Sequence, residues 1–256
     1  MKEGNNMARV LVAGESWSTT SIHTKGFDSF VTSTYEEGAG HFIAAVERGG
    51  NEVVFQPNHV AAERFPASQR ELDEFDVVVL SDIGANTLLL PNRVFGQGRI
   101  QPNRLNLLVD WVRGGGSLLM VGGYLSFQGI EAKANYRNTP LAEVLPVLME
   151  PGDDREEAPQ GVVPRVTMSH QITNGLPDEL PNVLGYHRFQ AKEGADVLME
   201  AGDQPFLVVG TKGQGRVAAF GSDMGPHWLP EDFLEWSGFD VMWQQLVAWL
   251  ADKNGN

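Results

Sequence analysis

The chain has 256 residues, long enough to bury a sizeable core, and its 33 acidic residues against 19 basic ones give a formal net charge of −14. Nucleic acid and anionic membranes need a basic face, so neither is expected as a partner. The sequence has no cysteine, which excludes thiol chemistry, disulfides, and Cys-ligated zinc or iron–sulfur centres. Residues 1–6 are polar and no apolar run is long enough to cross a bilayer, so the expectation is a soluble cytoplasmic protein.

Residues 8–13 form a short β-rich run ending at Gly14-Glu15-Ser16-Trp17. A long polar loop is expected from there to about Gly38, carrying His23, Lys25, Asp28 and Tyr35. Loops of this length tend to be functional or disordered, and Trp17, Phe27, Phe30 and Tyr35 argue against disorder. Residues 41–48 have helical periodicity and close on Gly49-Gly50. Residues 52–55 read as a second strand ended by Pro57, and Ser68 with Glu71 resembles a capping box. Residues 76–80 are an apolar third strand, covered on both faces, that spills into residues 81–86. Residues 102–113 form an amphipathic helix with Leu105, Leu108, Val109 and Val112 inward, stopped by three glycines.

Residues 117–121 are a buried strand that stops at Gly122-Gly123. Paired glycines suit a sharp strand-to-helix corner that pushes one side chain out, here Tyr124. The β-α-β-α-β-α-β order predicts a doubly wound, mainly parallel sheet of flavodoxin-like type with helices on both faces. Ligands sit beyond the carboxyl ends of such strands. Residues 15–25, 81–86 and 124–128 would share that edge.

Residues 138–145 read as a short helix and residues 151–159 as an acidic surface loop. Residues 161–168, 183–190 and 195–200 alternate like an antiparallel extension. Residues 205–211 and 216–222 form a hairpin, and residues 239–250 a closing helix. No repeat or linker divides the chain, so residues 7–252 are expected to be a single domain.

With these residues placed, the chain resembles the class I glutamine amidotransferase-like superfamily, near its trehalose-utilisation-type branch. Gly122-Gly123-Tyr124-Leu125-Ser126-Phe127-Gln128 lies over the nucleophile elbow of that superfamily, with Tyr124 at the cysteine position and Gln128 retained. His170-Gln171-Ile172-Thr173-Asn174-Gly175-Leu176-Pro177 and Gly213-Gln214-Gly215-Arg216-Val217 before Gly221-Ser222-Asp223 are similar to segments of that branch. The resemblance implies the fold and the place of a site. It also implies that His227 holds a place comparable to the catalytic histidine, though Trp228-Leu229 follows instead of Pro-Glu. Glutaminase chemistry is not expected.

The site expected at the sheet edge takes Tyr124, His227 and Asp223 as its chemical groups. Tyr124 acts as a nucleophile or proton donor, or it merely fills the former nucleophile pocket; a phenol of ordinary pKa is a poor nucleophile. Asp223 and His227 suit an orienter and general base, or a structural hydrogen bond. Glu15, Trp17, His23, Lys25, Asp82 and Gln128 are the expected ligand contacts, with Trp17 offering a stacking face. Ser126 reads as a helix cap and His170 as the pin of the turn at residues 173–175. No His-x-x-x-His or Glu-x-x-His spacing occurs, so no metal and no cofactor is expected. The expected ligand is a polar small molecule of sugar or sugar-derived carbonyl type, processed by acid–base chemistry of hydrolase or lyase type if at all. The rival is a non-catalytic assembly subunit whose sheet edge is a protein interface, and either reading admits a homo-oligomer.

Overall fold

The computed structural model describes residues 7–253, so the polar start at residues 1–6 lies outside the described residues. In chain order the first half contains β1 (Arg9–Gly14), β2 (Ser16–Lys25), β3 (Asp28–Glu37), α1 (Gly40–Arg48), β4 (Glu52–Gln56), α2 (Asn58–Arg64), α3 (Gln69–Leu72), β5 (Val77–Ser81), α4 (Ala85–Leu89), α5 (Asn92–Phe95), α6 (Arg104–Arg113) and β6 (Ser117–Val121). The second half contains α7 (Leu141–Val144), β7 (Val147–Met149), β8 (Arg155–Val162), β9 (Pro164–Val166), β10 (Val183–His187), β11 (Phe189–Ala191), β12 (Asp196–Ala201), β13 (Gln204–Lys212), β14 (Gly215–Phe220), α8 (Glu231–Leu234) and α9 (Gly238–Ala251).

One sheet of eight strands runs β4-β1-β5-β6-β14-β13-β12-β9. The first five strands pair in parallel and the last three pairings are antiparallel. This is the flavodoxin-like doubly wound sheet with an antiparallel C-terminal extension. Strand alternation explains why it needs cover on both sides. Val10, Val12, Val77, Val79, Leu119 and Val121 point into a core closed by Phe42 and Val46 of α1 and Trp243, Leu246 and Leu250 of α9. Leu11, Ala13, Val78, Leu80, Leu118 and Met120 point into a second core closed by Leu72 of α3, Leu105, Leu108 and Val112 of α6, and Leu141 of α7. Each fully buried Val or Leu contributes about 1.5–3 kcal/mol, so the two cores hold the strand ends rigidly in place.

Four expectations are corrected. Residues 16–37 are not a loop but a hairpin of two 10-residue strands, turned at Gly26-Phe27 and registered from Ser16 opposite Glu37 to Lys25 opposite Asp28. The Thr, Ile and Val content of this stretch was its strand signal, masked by serines. Residues 155–162 form β8 rather than a surface loop, pairing with β10. Helices α2, α4 and α5 fill stretches read as connections, and the helix expected at 138–145 shortens to α7. The turn after β6 leads to no α-helix, although Gly123 takes the positive φ expected of a glycine at this corner, as does Phe127. Ser126 is therefore no helix cap; its Oγ accepts from the Asp82 N–H at 3.0 Å.

Candidate functional site at the carboxyl edge of the sheet

Glu15 follows β1, Asp82 follows β5, Tyr124 follows β6, and Asp223 with His227 follows β14. All five stand at carboxyl ends of adjacent parallel strands, and the chain order reverses between β1 and β5, where ligand crevices form in such sheets. The approach there is tight. Gly14 has φ of 113°, and a Cβ on it would lie 1.8 Å from the Ser81 carbonyl oxygen. Beyond it, Glu15 (φ 49°), Asp82 (φ 43°) and His227 (φ 102°) all hold backbone conformations that L-residues rarely adopt. Such strain persists only where the surroundings over-determine it, and it clusters at functional sites.

Three carboxyls converge beneath this edge. Glu15 is fully buried, and its Oε2 accepts a 2.6 Å hydrogen bond from the Ser81 hydroxyl. Its Oε1 is buried without a hydrogen-bond partner, and the Asp223 carboxyl lies close enough to bear on it. Carboxyls buried this close together disfavour each other's charged form. Burial, then the charge of Asp82, pushes Glu15 up to about 7. Burial, then Glu15 and Asp82, raises Asp223 well above the carboxylate range, against the N–H groups of Gly225 and Met224 that favour its charged form. Asp82 is raised by burial and restrained by the Leu125 N–H, 2.6 Å from Oδ1, and by His227 and His187.

Above the carboxyls lies an aromatic lip. Trp17 and His227 stand 4.7 Å apart between ring centroids, and His227 and Tyr124 6.2 Å apart. Tyr124 is 37% exposed, leans on Trp228 at 5.8 Å, and carries the Arg155 guanidinium 4.5 Å over its ring. Burial and the Glu157 charge raise the Tyr124 phenol, and Arg155 only partly offsets them. The phenol therefore stays protonated at neutral pH, the form in which it is a poor nucleophile. His227 Nδ1 lies 4.0 Å from Asp223 Oδ2, too long for a hydrogen bond.

Behind the turn sits a second Asp–His pair that sequence reasoning missed. His187 and Asp154 are fully buried, with Nδ1 and Oδ1 2.9 Å apart. The imidazole Nε2 is 2.9 Å from the Gly123 carbonyl, and Asp154 accepts from the N–H groups of Gln128 at 3.0 Å and Gly129 at 2.8 Å. The pair pins the Tyr124 turn from below. Asp154 was hidden in a stretch read as surface loop, and the signal left was its position just before a strand.

The other expected contacts divide. Trp17 reaches the site, and its Nε1 donates to Glu36. His23 and Lys25 do not: six and eight residues further along β2, they stand roughly 20 Å or more away at the tip of the hairpin. His23 there stacks on Phe30 at 4.6 Å and Lys25 lies over the same ring. Gln128 is buried inside the turn, its Oε1 accepting from the Arg137 N–H. Among the described residues, no group of three or more His, Asp or Glu could hold a metal ion. His170 pins its turn as expected, with Nδ1 accepting from the Ile172 N–H.

The sheet order, the turn after β6 and the groups gathered around it define a class I glutamine amidotransferase-like protein. The family model described as "Putative glutamine amidotransferase" matches residues 9–252, and the chain belongs to that family. It is similar to two solved structures from Salmonella typhimurium, the cytoplasmic proteins STM3548 and STM1381, each 46% identical with a TM-score of 0.91. The alignments cover 94% of this chain and 98% and 99% of those chains. A ThuA-like protein from Bacteroides uniformis is 12% identical over 94% of this chain and 89% of its own, with a TM-score of 0.53, a likeness of fold. The comparison with curated proteins finds no match. No helix among the described residues is long and apolar enough to cross a membrane.

Proposed function

We propose that this amidotransferase-like protein has no glutaminase activity and binds a polar, sugar-like small molecule at the carboxyl edge of its sheet. One observation carries the reading: an aromatic lip of Trp17, His227 and Tyr124 lies over two buried carboxyls, Glu15 and Asp223, in a chain without a cysteine. Trp17 offers a face for the apolar side of a sugar ring. The Tyr124 hydroxyl and Arg155 donate hydrogen bonds, and the exposed His227 imidazole accepts or donates one. If the bound molecule is turned over, His227 moves the proton and Tyr124 supplies one; no covalent intermediate forms on the protein. The names of the two Salmonella proteins support a cytoplasmic location.

The test is a thermal-shift and calorimetry panel of aldoses, ketoses and sugar acids, run beside an ammonia-release assay with glutamine. A stabilising ligand whose effect vanishes in His227→Ala, with no ammonia released, supports the proposal. Ammonia release from glutamine at ordinary enzyme rates overturns it. The reading as a non-catalytic assembly subunit draws on one specific observation, the exposed hairpin β2–β3.

A further inference from the structure

The hairpin β2–β3 leaves the body of the protein just beyond the site. Apart from Ser16 and Trp17 at its base, every residue of both strands is exposed. A two-stranded hairpin with both faces in water is marginally stable at best, and this one also exposes Ile22 (73%), Val31 (61%) and the tip residue Phe27. Ile22 and Val31 are cross-strand partners and so share one face, while Phe30 and His23 share the other. Both outer edges of the hairpin carry unpaired backbone groups, and no proline or bulge protects them.

From these observations we infer that β2–β3 is an arm by which two copies of this chain associate. The charge distribution selects a second copy as occupant. The chain carries −14, so its surfaces repel one another, yet residues 18–35 contain one lysine and one aspartate, Lys25 and Asp28, and no net charge. An isologous contact places the same patch on both partners and therefore requires a patch that does not repel itself. The size also fits: two 10-residue strands and their turn approach the roughly 20–30 residues a side of a stable interface. The arm is built to be covered by its own kind.

Light scattering coupled to size exclusion tests this on the full chain. The wild type is expected at about twice the 28.0 kDa mass of one chain, with no weakening between about 0.05 and about 0.5 M salt because the contact carries no net charge. Replacing residues 18–35 by Asn-Gly joins the paired residues Trp17 and Glu36 by a two-residue turn, and gives a folded monomer. The exposed substitutions Ile22→Asp with Val31→Asp weaken association at least a hundredfold without lowering the thermal midpoint of the body, and decide the matter should the shortened chain fail to fold. A monomeric wild type at about 0.1 mM overturns the inference, as does a dimer that ignores both variants. Because the chain has no cysteine, Phe27→Cys adds a single labelled site; a spin label there is expected to report a partner within reach, and isolated labels contradict the arm contact.

Discussion

At the scale of single residues, the decisive feature is a carboxyl whose surroundings strengthen its hold on a proton. Glu15 starts from an ordinary value of 4.5 and stands at about 7 in the fold. A raised carboxyl binds its proton more tightly in the folded state, so its contribution to stability is fully present below about pH 4.5 and is lost as the pH rises through about 7. For a group this buried the change is of the order of 3 kcal/mol. Glu15→Gln keeps the acceptor for the Ser81 hydroxyl and offers Asp223 an N–H, so urea denaturation between pH 5 and 8 is expected to show a flatter stability profile than the wild type. An identical profile would mean that Glu15 is charged throughout. Tyr124→Phe removes only the hydroxyl at the lip and is expected to leave stability within about 0.5 kcal/mol while weakening the proposed ligand. The carboxyl convergence was partly legible in the sequence, because Glu15, Asp82 and Asp223 each follow an apolar strand. Their raised affinity for protons was not, since it depends on burial and on distances between strands far apart in the chain.

Among the elements, the turn after β6 shows what holds a site in place. Its backbone is pinned by His187 and Asp154, which lie on a strand end and a connection twenty-five or more residues downstream of it. Removing one member of a buried hydrogen-bonded pair leaves the other uncompensated, so His187→Ala is expected to cost about 3 kcal/mol and His187→Gln less. Equal and small effects of the two, measured by chemical denaturation, would count against this pinning. At the start of the same edge, Gly14→Ala meets the Ser81 carbonyl and is expected to cost about 3 kcal/mol or more. The parallel strands β4, β1, β5 and β6 and the helices α1, α6 and α9 were readable from apolar runs and periodicity, because tertiary packing there agrees with local pattern. The hairpin β2–β3 was not, because both its faces meet water and no alternation of apolar and polar residues marks it. For the same reason His23 and Lys25, assigned to the site by nearness in sequence to Glu15, stand at its far tip.

For the whole molecule, an acidic, cysteine-free chain keeps an amidotransferase-like scaffold and sets Tyr124 in the turn after β6. The most direct measurement is calorimetric titration of sugars and sugar acids into wild type, Trp17→Ala and His227→Ala, with ammonia release from glutamine followed in parallel. The expected result is binding by the wild type, at least tenfold weaker in both variants, and no ammonia above background. Steady glutamine hydrolysis, or ligand binding untouched by either substitution, would contradict it.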